Sequence, residues 1–115
     1  MIQEIYTHLK NKNLNPYFPG QHRGECEEPF VIVMEGTQMP SIQSNKIGQQ
    51  VMDFIVFVPV NSYIAVGSYV KKIRQALKEL TYLRKTGLET PVITDDEKKA
   101  YTTSIEYVLQ KKLEG

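Results

Sequence analysis

The chain has 115 residues, of which 41% are hydrophobic, and its 14 basic and 13 acidic side chains leave a formal charge of +1. That length suits one domain with a single modest core, and so even a charge balance makes no electrostatic case for nucleic acid or for an anionic membrane surface. The single cysteine excludes an internal disulfide, so stability has to come from packing or from assembly, and a reducing compartment suits the chain.

Ile2, Ile5, Tyr6 and Leu9 recur at the spacing of a helix with one buried face, and NKNLNP then breaks the pattern. This predicts helix 1 over about residues 2–11. Glu4 and Lys10 interrupt its apolar positions, so the stretch does not read as a signal peptide. From Asn15 to Pro29 the composition turns to Pro, Gly and charge, the mark of a surface connection. PFVIVMEG, bounded by Pro29 and Gly36, reads as a strand. The polar stretch TQMPSIQSNKIG, residues 37–48, reads as a long excursion, and Gln49 to Val58 as a second strand. In that strand Met52, Phe54, Val56 and Val58 share one face, while Val51, Asp53, Ile55 and Phe57 share the other. Both faces are mostly apolar, which predicts a central strand covered on both sides. The longest apolar run, Phe54 to Val60, has seven residues and contains Pro59. It is too short for a membrane helix, and the chain reads as soluble.

The helical signal is strongest in VGSYVKKIRQALKELTYLRK, where Tyr69, Val70, Ile73, Ala76, Leu77, Leu80 and Leu83 form one stripe. Lys71, Lys72, Arg74, Gln75, Lys78 and Glu79 lie opposite, and Ser68, Asn61 or Ser62 could cap the start of this helix 2. Beyond Gly87 and Pro91, Tyr101, Ile105, Val108 and Leu109 would also line up on a helix. Strict alternation of Tyr101, Thr103, Ile105, Tyr107 and Leu109, in a stretch dense in Thr, Tyr, Ile and Val, selects a strand. Helix, strand, strand, helix, strand predicts a small α+β domain spanning 1–115, a mainly antiparallel sheet packed against helices.

Cys26 has His22 four residues away, but Glu25, Glu27 and Glu28 around it would raise the thiol's pKa and weaken it as a nucleophile. A structural zinc needs four ligands, and the only other histidine, His8, sits in helix 1. Asp95 and Asp96 before EKK read as the end of an element rather than an acid/base pair. There is no phosphate-binding or dinucleotide-binding glycine motif and no nucleophile elbow. The residues therefore point to neither an enzyme nor a cofactor or metal, although a small thiol or metal enzyme built on His22 and Cys26 stays open. The connections at Pro16–Glu28 and at residues 37–48 are long for so short a chain, and loops of that size are usually functional or mobile. Together with the strand's two apolar faces, they read as the contact surfaces of an assembly subunit.

Three segments, YFPGQHRGECEEPFVIV, FVPVNSY and TPVITDDEKKAYTTSIEY, resemble the tail completion or tail terminator proteins of contractile-tail bacteriophages, defective prophages and phage-tail-like bacteriocins. Gly20, Gln21, His22, Gly24, Cys26 and Pro29 carry the motif, and the resemblance runs in order along nearly the whole chain. It implies a small α+β fold and a homo-oligomeric sixfold ring on the head-proximal end of the tail tube. Such a ring ends polymerisation and meets the tube protein, the sheath protein and a neck or collar protein, in a virion or headless particle assembled in the bacterial cytoplasm. It implies no enzyme activity, cofactor, membrane or specific nucleic-acid binding. A neck or head-tail connector subunit is the alternative. Expected assembly contacts are Gln21, His22, Arg23 and Glu25 in the first loop, ordered there by neighbouring subunits, and Lys71, Lys72, Arg74 and Lys78 on helix 2.

Overall fold

The computed structural model describes residues 2–41 and 44–112. Its elements in chain order are α1 (Ile2–Asn11), β1 (Pro16–Tyr17), β2 (Phe30–Ser41), β3 (Ser44–Pro59), α2 (Ala65–Lys78), β4 (Leu83–Glu89), β5 (Ile93–Asp95) and β6 (Ala100–Lys112). The strands form one six-stranded sheet in the order β1-β2-β3-β6-β4, and β5 pairs with the end of β6 that β4 leaves free. Among the described strands, only β1 against β2 is parallel. The architecture is the expected α+β class, with both helices on one face of a mostly antiparallel sheet.

Alternation along the strands decides which side chains meet the helices. Val31 and Val33 of β2, Met52, Phe54, Val56 and Val58 of β3, and Ile105, Tyr107 and Leu109 of β6 point to that inner face and are buried. Ile5 and Leu9 of α1 and Val66, Tyr69, Val70, Ile73, Ala76 and Leu77 of α2 close over them. Fully burying one such side chain stabilises the fold by about 1.5–3 kcal/mol. Two polar contacts fix the helices: the His8 ring Nε2 lies 2.8 Å from the Ala76 carbonyl, and the Tyr69 hydroxyl donates to the Leu14 carbonyl after α1.

Helix 1 and the last strand form where the pattern placed them, and four expectations are corrected. The polar stretch expected as an excursion over 37–48 is strand where it is described: residues 37–41 end β2 and 44–48 begin β3, with Met39 opposite Gln49 and Pro40 opposite Gly48, while residues 42–43 lie outside the described residues. Backbone pairing needs no apolar side chains. Pro40 is tolerated because β1 covers only the start of β2, leaving the rest an edge. Gly36 marks where this arm bends. A Cβ there would stand 3.1 Å from a Val51 methyl, at the start of a register shift, and Gln50 Nε2 donates to the Gly36 carbonyl at 2.8 Å.

Helix 2 ends at Lys78 rather than running to Lys85. A turn delivers Leu83 into the same core as the first residue of β4, opposite Leu109, so helical spacing and turn geometry both bury it. Its N-cap is Ile64 without a side-chain hydrogen bond, not Ser68, Asn61 or Ser62. Backbone carbonyls of Ser62 and Tyr63 accept from the Ala65 and Val66 amides instead. Finally, β3 is central, between β2 and β6, but its second face is not covered like the first: Val51, Asp53 and Ile55 are half-buried.

Candidate assembly surfaces

The outer face of the sheet divides into a lidded end and an open expanse. At the lidded end, Phe30 and Phe57 are cross-strand partners whose rings stack at 4.7 Å, and the His22 ring stacks on Phe30 at 3.8 Å and 11°. Tyr17 meets both His22 and Phe30 edge-on. Cys26 and Ala100 complete this small buried cluster, with Ile32 and Ile55 at its border. The loop between β1 and β2 is thus an aromatic lid, which leaves His22 and Cys26 with packing duties.

The turn between β5 and β6 clamps that lid. Asp95 Oδ1 accepts from the Lys98 amide at 3.0 Å, so the acid ends β5 as its sequence context implied. The Lys98 carbonyl accepts from the Cys26 amide at 2.7 Å, and the Lys98 ammonium reaches His22 Nδ1 at 3.2 Å and the Gly24 carbonyl at 3.4 Å. Gln21 folds back to accept from the Phe18 amide at 2.9 Å, while Phe18 stacks on Tyr6 of α1 at 4.5 Å. The loop therefore has several anchors within its own chain, beside the contacts with neighbouring subunits expected of it. Lys98 was missed by sequence reasoning; nothing in DDEKK distinguishes it from its neighbours.

The electrostatics leave little reactivity here. Burial pushes the Cys26 thiol up to about 11, with Glu28 adding to the shift and Lys98 opposing it, and the thiol donates to the Glu28 carbonyl at 3.2 Å. A thiol so held is a poor nucleophile at neutral pH. Burial first, then the Lys98 charge, holds the His22 ring below its ordinary value, against an opposing pull from Glu27. A neutral ring can accept at Nδ1 from the Lys98 ammonium. Among the described residues, no group of three or more His, Cys, Asp or Glu side chains is placed to hold a metal ion.

Beyond the lid the outer face stays open. Ile32, Met34, Val51, Ile55 and Val108 lie half-buried there, and no described helix covers them. In their midst Asp53 stands directly opposite Glu106 across the β3–β6 pair. Like charges in that position repel. Burial, and then Glu106, raises the Asp53 carboxyl above its usual range.

In the helix layer, on the other side of the sheet, α2 presents Lys71, Lys72 and Lys78 to solvent, as expected. Arg74 departs from that set. It is half-buried, with Nη1 3.3 Å from the Tyr107 hydroxyl, Nη2 3.5 Å from Glu89 Oε1 and its guanidinium over the Tyr107 ring, so it joins α2 to β4 and β6. Glu79 likewise pairs with Lys12 at 2.9 Å. Of the loop candidates, Gln21 and His22 are used inside the chain, Arg23 is exposed, and exposed Glu25 lies 3.9 Å from Lys99.

At the start of α2 a feature appears that sequence reasoning missed. Tyr63 is 59% exposed and rests edge-on against Tyr101 at 4.9 Å, while Ile64, at the N-cap, is 92% exposed. Both border a cleft of about 800 Å³ between α2 and residues 89–92, and Lys71 lies on its rim. An isoleucine where serine or aspartate would serve the helix better was the available signal. No protein-family model matches this sequence, and no curated protein matches it.

Proposed function

We propose that the chain is the subunit of a ring that caps the head-proximal end of a contractile phage tail or tail-like particle, ending growth of the tube and joining it to a neck or collar. The observation that carries this reading is the in-order resemblance of three segments, residues 17–33, 57–63 and 90–107, to tail terminator proteins.

Physical chemistry supports it through what termination requires. A terminating ring has to be accepted by the last tube ring on one surface and to withhold from its other surface whatever recruits the next one. Such a subunit needs two unlike surfaces. An acidic, half-apolar sheet face on one layer and a lysine-bearing helix on the other meet that need.

Tail length in a strain lacking the gene, measured by electron microscopy, tests the reading. Overlong, heterogeneous tubes or unstable sheaths are expected, with normal length restored by the wild-type gene. Tubes of normal length and normal capping contradict it. Tubes of normal length that fail to join a head assign the chain to the connector instead.

A further inference from the structure

We propose that the open outer face of the sheet is the docking site for a second copy of this chain, entered by the exposed start of α2, with Tyr63 and Ile64 on the apolar groups and Lys71 on the Asp53–Glu106 pair. The inference deepens the ring reading by naming its subunit contact, and rests on that reading only in taking the partner to be another copy.

The face asks for a cation among apolar groups. Asp53 and Glu106 are direct cross-strand neighbours, and Met34, Val51, Ile55 and Val108 surround them. An antiparallel sheet with one solvated face normally carries polar groups there. This one carries apolar side chains beside a like-charge pair that makes no ion pair among the described residues, the nearest cation along the strand pairing being Arg84, opposite Val108 at the β4 edge. The arrangement costs the isolated subunit stability, and a partner's cation relieves it.

The chain carries the complement itself. Ile64, Gly67 and Lys71 follow one another at helical spacing on the side of α2 facing away from the core, and all three are exposed. Ile64 is the most exposed of the large apolar residues described, and its neighbour Tyr63 is braced by Tyr101, so the protrusion is preformed. An apolar tip two helical turns from a lysine matches an acidic pair bordered by Ile55 and Met34.

Charge also decides the geometry. A symmetric, face-to-face dimer would set the acidic pair of one copy against that of the other, and like-charge juxtaposition at an interface is strongly unfavourable. The contact is therefore asymmetric, with the helix layer of one copy on the bare sheet of the next. Each sheet then gains the second covering layer that two apolar faces call for, and a head-to-tail contact is the kind that closes a ring when its rotation divides a full turn.

Sedimentation of the full chain over a concentration series tests this with Asp53→Lys, Lys71→Glu, the double variant carrying both, and Ile64→Ser. Each single substitution is expected to weaken self-association at least tenfold, and the double variant to recover to within about threefold of wild type. Circular dichroism at dilution identifies variants that fold. If Asp53→Lys does not fold, the surface substitutions Lys71→Glu and Ile64→Ser decide alone, since neither residue contributes to the core. A wild-type chain that stays monomeric at millimolar concentration, single variants that associate as tightly as wild type, or a folded double variant no better than its parents each overturn the contact. Variants that associate normally and still restore tail length overturn the contact and leave the terminator reading standing. Normal tails in the deletion strain do the reverse.

Discussion

The two faces of the sheet are built by the same strands, yet alternate residues face different physical problems. On β3, Met52, Phe54 and Val56 are at most 1% exposed beneath the helices, while Val51, Asp53 and Ile55 between them are half-buried and carry an opposed acidic pair across to β6. The inner face is optimised for the single chain. The outer face leaves apolar groups half-buried around a like-charge pair, which is where the proposed subunit contact would form.

Core truncation should separate the faces most sharply. Phe54→Ala removes a fully buried ring and should cost about 3–5 kcal/mol in urea unfolding of the dilute chain. Ile55→Ala, one residue on and half-buried, should cost only about 1–2 kcal/mol. Equal losses would mean that both faces are core.

The lid gives an intermediate effect. His22→Ala removes a ring stacked on Phe30 and should cost about 0.5–1.5 kcal/mol. Because the folded ring sits below the unfolded value of 6.5, the unfolded chain binds more protons as the solution acidifies. Stability from this group is intact above pH 6.5 and falls as pH drops through the lowered folded value. His22→Phe, which keeps a stackable ring, should flatten that slope, and an unchanged slope would remove His22 from the account.

Asp53→Asn should act in the opposite direction on the dilute subunit. The folded carboxyl lies above its unfolded value of 3.8, so its stabilising contribution is present below that value and lost as pH rises through the folded one. Removing the charge should therefore stabilise the monomer at pH 7 by about 0.2–1 kcal/mol while weakening self-association. A variant both less stable and equally associated would contradict the outer-face reading. The smallest effect belongs to Lys71→Ala, expected within about 0.5 kcal/mol of wild type in the same unfolding assay.

The core stripe of α2 and the alternation of β6 were legible because burial on one side imposes a period that the sequence must obey. The strand arms at residues 37–41 and 44–48 were not, because paired backbone amides leave no trace in polar side chains. β5 has only three residues and β4 is exposed after Leu83, so neither shows a core period. The charge opposition at the outer face was invisible because Asp53 and Glu106 lie far apart in sequence and meet only through the β3–β6 register. Arg74 looked like any other charge on the polar side of α2. Only the positions of Tyr107 and Glu89 show that it is an internal tie.

Methionine oxidation offers the most direct test of a chain with one face for folding and another for assembly. Met34 lies half-buried on the outer face and Met52 is 1% exposed on the inner one. Peroxide footprinting with mass spectrometry, run on dilute and on concentrated chain, should find Met52 protected in both. Met34 should oxidise readily at dilution and become protected on association. Associated chain in which Met34 oxidises as fast as in the dilute sample would contradict the account, because the outer face would then remain open to water.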